Sequence, residues 1–243
     1  MRFDVLTLFP AFFISPLEHG ILGKAVAKGL LTINTVNIRD FALDRHRTTD
    51  DYPYGGGHGM VMKVEPIMRA IDSIRSEGGA SKVVLMTPQG MQFNQKTAME
   101  LATFEHLIII CGRYEGVDER VRNYVDKELS VGDYVMTGGE VPALAVIDAV
   151  GRLKPGVIGC ADAAKHDSFS NGLLEYPQYT RPEEYEGLKV PDVLTSGNHG
   201  EIEKWRKSQS LIRTYDRRPD LLQGAQLTDA EKSVIEDFKT GRK

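Results

Sequence analysis

Between residues 107 and 142 the sequence runs LIIICGRYEGVDERV and then, a little further on, VGDYVMTGGEVP. Gly112, Gly132, Gly138 and Gly139 stand beside Arg113, Glu115, Asp118 and Asp133. The main chain can therefore come close to a ligand while charged groups of both signs surround it. A packed core has no use for such a mixture. In α/β sheets, glycine turns that follow strand ends open into the crevice where ligands bind. The chemistry on offer is recognition by backbone N–H and C=O groups with charge at the rim, and we place the ligand site in this stretch.

Other signatures fail when their spacing is checked. GILGKA at residues 20–25 has a Gly-Lys pair but neither the P-loop spacing nor the Ser or Thr that should follow, and no GxGxxG follows a strand. The histidines are scattered, with no HExxH or paired spacing, and GxSxG is absent. Cys111 and Cys160 are the only cysteines and form no CxxC pair, which argues against a disulfide framework or a cysteine zinc site and suits a reducing cytosol.

These turns need strands before them and helices after them. Residues 3–9 are rich in β-formers and stop at Pro10, predicting a first strand that feeds a helix around residues 20–30. Residues 31–38 read as a second strand. Residues 39–63, with DRHRTTDDYPYGGGHGMVMK, have neither period; we read them as a functional connection, with His46, Asp50 and the glycines of 55–59 in a mobile loop. Residues 65–75 form a helix with Pro66 at its first position and Ile67, Ala70, Ile71 and Ile74 on one face. A short buried strand at 83–86, a helix at 92–104 capped near Asn94, a strand at 107–111, a short charged helix at 117–125 and a helix at 141–150 complete the pattern. Alternating strands and helices predict an α/β class with a mostly parallel sheet.

Beyond Gly151 the pattern changes. Residues 156–178 read as a linker, and from Gly200 the chain is helical and more basic. Ile202, Trp205, Ile212 and Tyr215 make an apolar stripe, with Trp205 in a core, while Arg206, Arg213 and Arg217 fall on another face. That arginine face reads equally as a solvated surface or as phosphate contacts. Thr228 with Glu231 matches a capping box before a last helix.

The 243 residues suffice for one large domain or a medium and a small one, and the formal charge of −4 excludes a wholly basic nucleic-acid coat without excluding a local basic face. The opening MRFDVLTLFPAFF is unlike a signal peptide, and no segment approaches the ~20 apolar residues of a membrane span.

Five segments remain: TPQG (87–90), CGRYEG (111–116), VGDYVMTGGE (131–140), RLKPGV (152–157) and DSFSNGLLEYPQYTRP (167–182). At strand ends and in this order they resemble the bacterial tRNA guanine-N1 methyltransferases of the SPOUT class. The resemblance runs essentially the whole chain, and GGGHGMVMK and CGRYEGVDERV are its most specific segments.

The resemblance implies an α/β fold of SPOUT type, its mostly parallel sheet ending in a deep trefoil knot that no periodicity predicts, followed by a small all-helical domain. It implies an S-adenosylmethionine-binding catalytic domain at 1–160, a linker at 161–176 that carries the catalytic aspartate, and a helical tRNA-binding domain at 177–243. The cofactor would be held by Leu85, Thr87, Pro88, Gly90, Gly112, Arg113, Tyr114, Glu115, Val131, Gly132, Asp133, Tyr134, Val135, Met136, Gly138, Gly139 and Pro142, largely through backbone groups. The implied reaction methylates N1 of the guanine just 3′ of the anticodon, position 37 of the tRNA.

Guanine N1 carries a proton at neutral pH, so the reaction needs a general base, and the resemblance assigns that role to Asp167. Arg152 would stabilise negative charge on guanine O6. From the residues alone, Asp167 reads first as a turn or cap aspartate, Arg152 as a helix C-terminal arginine, and Glu115 as an ion-pair partner of Arg113 or Arg120. A cytoplasmic homodimer that shares each active site between subunits is implied, with no metal ligand assigned and assistance by magnesium left open, since no residue pattern decides it. Two alternatives stay open: a SPOUT enzyme acting on another base or a ribose hydroxyl, and a non-catalytic RNA-binding protein of the same fold.

Overall fold

The computed structural model describes residues 1–159, 167–223 and 225–241. Cys160 and the first part of the expected linker, 161–166, lie outside the described residues. The chain divides into two compact units, Met1–Ala161 and Asp162–Lys243.

In the first unit, β1 (Arg2–Thr7) leads through a 3-10 turn to the short helices α1 (Ile14–Glu18) and α2 (Gly20–Ala27), then to β2 (Thr32–Asn37). The stretch expected to lack structure holds a 3-10 turn and a small antiparallel ribbon, β3 (Asp50–Asp51) with β4 (Val61–Met62). Helix α3 (Val64–Ser76) follows, then β5 (Lys82–Gln92), α4 (Gln95–Leu101), β6 (His106–Cys111), a 3-10 helix (Glu119–Tyr124), β7 (Lys127–Ser130) and α5 (Glu140–Gly151). The sheet order is β2-β1-β6-β5-β7 and every pairing is parallel.

The sheet is covered on both faces, which is why β6 reads as the unbroken run HLIIIC and why all six of its residues are buried. Leu107, Ile109 and Cys111 face the side packed by α2, α4 and α5, while Ile108 and Ile110 face the side packed by α3. On α3 the apolar face is as expected, Ile67, Ala70, Ile71 and Ile74, joined by Pro66. Pro66 sits in the first turn but not at its first position, a place where a helix N–H has no partner to lose. The Asn94 side chain caps α4 by accepting from the Thr97 N–H at 3.0 Å.

Three elements differ from expectation. Strand β5 runs to Gln92 instead of ending at residue 86, and α4 is correspondingly shorter. The expected helix at 117–125 is a six-residue 3-10 helix with one buried side chain, Val121, too little apolar surface to hold an α-helix of that length. Strand β7 was not expected at all: Lys127–Ser130 is an edge strand whose charges suit an edge but hide its strand character in sequence.

The second unit is mainly helical but not wholly so. A two-strand ribbon, β8 (Glu184–Tyr185) with β9 (Leu188–Lys189), precedes α6 (Asp192–Thr195), α7 (His199–Arg217) and α8 (Asp229–Lys239). The capping box of Thr228 and Glu231 is present at α8. On α7 the buried positions are Ile202, Leu211 and Thr214, a stripe rotated from the expected one; Trp205 is half-buried against Tyr179, ring centroids 6.3 Å apart. The described part of the expected linker is anchored on this helix: the Leu174 N–H donates to Thr214 Oγ1 at 2.9 Å, and Ser210 Oγ donates to the Leu174 carbonyl.

Candidate functional site

Three segments leave the carboxyl ends of neighbouring strands and enclose a cavity of about 390 Å³ in the first unit. The first is an irregularity inside β5. Met86 and Met91 both face Leu129 of β7, so Thr87, Pro88, Gln89 and Gly90 are thrown out of the ladder as a bulge. The second is the turn after β6, Gly112–Val117, in which Tyr114 adopts a left-handed φ of 60°, a strained conformation for a side chain of that size. The third is the loop from Val131 to Gly139, which runs antiparallel to the second through an Arg113–Gly138 bridge and a Gly139 N–H to Gly112 carbonyl bond of 2.9 Å. A Cβ on Gly139 would stand 2.7 Å from Cα of Cys111, so only glycine lets the start of α5 seat against β6.

Beneath these turns lies a buried polar knot of side chains. Glu140, in the first turn of α5 and 1% exposed, pairs with Arg113 Nη2 at 2.9 Å and accepts from Thr7 Oγ1 at 2.8 Å. Arg113 also donates to the Thr137 carbonyl at 3.1 Å and lies 4.5 Å over the Phe9 ring. Burial pushes the Cys111 thiol well above its usual range, with the Glu140 charge adding to the effect and Arg113 opposing it, so this cysteine is no nucleophile. Asp118 is held below the usual carboxylate range by hydrogen bonds from the Arg120 side chain, at 2.8 and 2.7 Å.

Both candidate partners of Glu115 are therefore engaged elsewhere, Arg113 by Glu140 and Arg120 by Asp118. The ion-pair reading of Glu115 is overturned, and among the described residues its carboxylate has no ion-pair partner. Its backbone N–H donates to the Met60 carbonyl at 3.0 Å, and the Met62 N–H donates to the Gly116 carbonyl at 2.9 Å. The GGGHGM segment thus ends tied to the cavity's second wall. Just before it, Tyr52 and Tyr54 are exposed.

The second unit has a larger hollow, about 620 Å³, lined by Tyr176, Arg206, Lys207, Ser210 and Glu231 among others. Its basic side chains are already matched, Lys204 with Glu201, Arg206 with Glu203 and Lys207 with Glu231, each at 2.8 Å. The smaller cavity, with bare main chain and an unpaired carboxylate, is the better candidate for a ligand site.

Comparisons with known proteins show the family. The family model tRNA (Guanine-1)-methyltransferase TrmD matches residues 1–224. The chain is 56% identical to the tRNA (guanine-N(1)-)-methyltransferase of Syntrophotalea carbinolica over 98% of its own length and 97% of the relative's. It is 53% identical to that of Dictyoglomus turgidum over 98% and 97%, and 52% identical to that of Staphylococcus aureus over 100% and 99%. The chain belongs to this methyltransferase family. The sheet and helices seen here are its SPOUT-class α/β fold.

Set against the family's expected cofactor residues, the cavity is lined by Leu85, Thr87, Pro88, Gly112, Arg113, Tyr114, Glu115, Val131, Tyr134, Val135, Met136, Gly138, Gly139 and Pro142. Gly90, Gly132 and Asp133 are not in the lining; Gly90 instead forms the foot of the bulge, where a Cβ would meet the backbone of Glu128 and Leu129 at 2.5 Å. Sequence reasoning missed Gln89, Glu119, Arg122, Ser130 and Thr137, which also line it. Gln89, Glu119 and Thr137 carried a signal, as members of TPQG, CGRYEGVDERV and VGDYVMTGGE.

Arg152 does not line the cavity. It caps the C-terminus of α5, a helix of 12 residues and hence about 18 Å from the glycines at its other end. Asp167 belongs to the second unit and opens a turn in which its carbonyl accepts from the Ser170 N–H at 3.1 Å. Among the described residues no group of three His, Cys, Asp or Glu side chains could hold a metal ion, and no helix is long and apolar enough to cross a membrane.

Proposed function

We propose that this protein transfers a methyl group from S-adenosylmethionine to N1 of the guanine just 3′ of the anticodon in tRNA, position 37. The observation that carries the reading is the cavity of three strand-end turns in a chain of this family. Its volume suits a ligand of nucleoside size, and its walls offer main-chain donors and acceptors of the kind that read an adenine edge. Bound there, S-adenosylmethionine supplies the methyl group as an electrophilic sulfonium. The Glu115 carboxylate, without an ion-pair partner, complements that positive charge.

The chain's own residues supply the rest. Asp167 takes the N1 proton as the new N–CH₃ bond forms, because protonated N1 has no available lone pair in the ring plane. The electron pair of the N–H bond becomes the new N–CH₃ bond, and the negative charge that develops while the proton leaves is shared through the ring's π system with O6, where Arg152 stabilises it. S-adenosylhomocysteine leaves with the electrons of the broken S–CH₃ bond.

Within its own unit Arg152 is a helix length away from the cofactor turns. That separation supports a two-fold dimer in which Arg152 and Asp167 of one subunit serve the cavity of the other, with cofactor from one chain and the base from its partner. The trefoil knot of the SPOUT class is part of the same reading, supported by the tight seating of Gly139 on the β6 turn. The Arg213 and Arg217 face of α7 would position tRNA phosphates, and a tRNA substrate puts the reaction in the cytoplasm.

The test is to incubate the protein with labelled S-adenosylmethionine and unmodified tRNA transcripts, digest the product and identify the labelled nucleoside. N1-methylguanosine from the position 3′ of the anticodon is the expected product. A ribose-methylated or differently methylated nucleoside, or no incorporation by folded protein, would overturn the assignment.

A further inference from the structure

One charged group on the cavity rim has no part in the chemistry above. Arg122 sits in the 3-10 helix that follows the second wall, and its guanidinium is shared among three segments. Nε donates to Glu119 Oε2 at 2.8 Å, Nη1 donates to Glu128 Oε2 on β7, and Nη2 donates to Gln89 Oε1 at the crest of the β5 bulge. The Arg122 side chain is only 22% exposed, and Gln89, Glu119 and Arg122 all line the cavity.

The bulge needs such a tie. Its four residues have left the ladder between Met86 and Met91, and the side-chain bond inside it, from the Gln89 N–H to Thr87 Oγ1, is a long one at 3.4 Å. Its foot is fixed where Gly90 packs on the backbone of Glu128 and Leu129. Its crest is fixed by Arg122, which holds the same Glu128 by its side chain. A planar guanidinium can span two acceptors at once in a fixed geometry; an ammonium is a point donor and cannot.

We infer that Arg122 is a positioning residue for the cofactor, holding the Thr87–Gly90 bulge at the height that makes it a wall of the cavity. The inference rests on the reading of this cavity as the S-adenosylmethionine site. It gives Arg122 a role in cofactor affinity and none in proton transfer or in tRNA binding. Arg113 joins the second wall to the third through Glu140 and Thr137, and Arg122 joins the second wall's helix to the first.

The experiment compares Arg122→Met, Arg122→Lys, Gln89→Ala and the double variant Gln89→Ala/Arg122→Met by calorimetry with S-adenosylmethionine and by steady-state kinetics. Loss of one charge-assisted tie predicts a dissociation constant raised about tenfold in Arg122→Met, with Arg122→Lys only partly rescuing it. Turnover at saturating cofactor and KM for tRNA should stay within about twofold of wild type. Gln89 is an exposed residue whose truncation does not threaten the core, so Gln89→Ala should weaken cofactor binding by a similar factor. The double variant should lose no more than either single one, since both remove the same tie.

Wild-type cofactor affinity in Arg122→Met or in Gln89→Ala, or losses that multiply in the double variant, would overturn the role of Arg122. A Gly139→Val control separates the two readings. If it too keeps wild-type affinity, the cavity itself is wrongly assigned; if it abolishes binding while Arg122→Met binds normally, only the positioning role falls.

Discussion

Glu140 and Glu231 each stand in the first turn of a helix and each accept from a basic side chain and a threonine hydroxyl. The partners of Glu231 are local or surface groups: Thr228 of its own capping box and Lys207 at 2.8 Å. Those of Glu140 come from across the unit, Arg113 after β6 and Thr7 at the end of β1, and the carboxylate is 1% exposed. The helix cap at Glu231 needs only its own four residues. At α5 the cap position is Gly139, which offers no side-chain cap, and that bareness is what lets the backbone face a ligand. The stabilisation lost by leaving the turn bare is supplied from beneath by Glu140. The turn that walls the cavity is held by distant partners, and the plain helix end by near ones.

The sharpest way to break the contrast is at the chemistry itself. Asp167→Asn should lower turnover by about 10²–10⁴-fold while cofactor binding stays near wild type, because the amide keeps the shape but cannot take the proton. Single-turnover assays and calorimetry read the two halves, and near-normal turnover would remove Asp167 from the mechanism. If the proposed two-fold dimer shares its sites, mixing inactive Asp167→Ala with inactive Gly139→Val should restore up to about a quarter of wild-type activity, since half the dimers would be mixed and half their sites intact. Activity that stays at the single-variant background after proven subunit exchange would put the whole site within one chain.

Glu140→Gln should destabilise the first unit by about 3 kcal/mol, because it leaves the mostly buried Arg113 without its countercharge. Denaturant unfolding measures this, and cofactor affinity should fall with it as the Gly138–Gly139 turn loosens. A variant as stable as wild type would mean the pair contributes nothing to the turn.

On the second unit smaller effects are expected. Arg206 is paired with Glu203 and stacked on Tyr176 at 4.9 Å, so it is already neutralised, whereas Arg213 has no ion-pair partner among the described residues. Arg213→Ala should flatten the log–log salt slope of tRNA binding by about one, and Arg206→Ala by less. Equal slopes in both variants and wild type would make the face plain solvated surface.

The smallest effect is on pH dependence at Glu231. Hydrogen bonds from Lys207 first, then from Thr228, hold it down at about 2 against an ordinary 4.5. A depressed carboxyl stabilises the fold fully above its unfolded value and loses that contribution as pH falls from there towards about 2. Glu231→Gln should flatten helix content across that window, and an unchanged acid transition would remove the cap from the balance.

What the sequence revealed follows the same division between near and far. The Asn94 cap, the Thr228 box, the apolar face of α3 and the strand β6 are local patterns and were legible. The glycine turns were legible as a cluster, and most of their residues do wall one cavity. Strand β7 was not, because KELS becomes a strand only by pairing with β5. Neither was the partner of Arg113, which lies 27 positions on at Glu140, nor the role of Arg122, whose acceptors come from three separate segments. On α7 the stripe was placed by hydrophobicity alone, and Leu211 and Thr214 won the core because Leu174 and its neighbours pack there.

The bond between Thr7 and Glu140 spans 133 residues of chain, and this sets the order in which the first unit can mature. Contacts of such separation are slow to close, and a carboxylate cannot leave water before its partners are in place. During synthesis β1 emerges early and waits; β5, β6 and their turns can assemble on it, but the cavity has no third wall until α5 emerges and docks. Nascent chains stalled before Glu140 should therefore protect the amides of β1 and β6 from exchange yet bind no cofactor. Ligand competence would arrive in one late step, with the burial of a single charge.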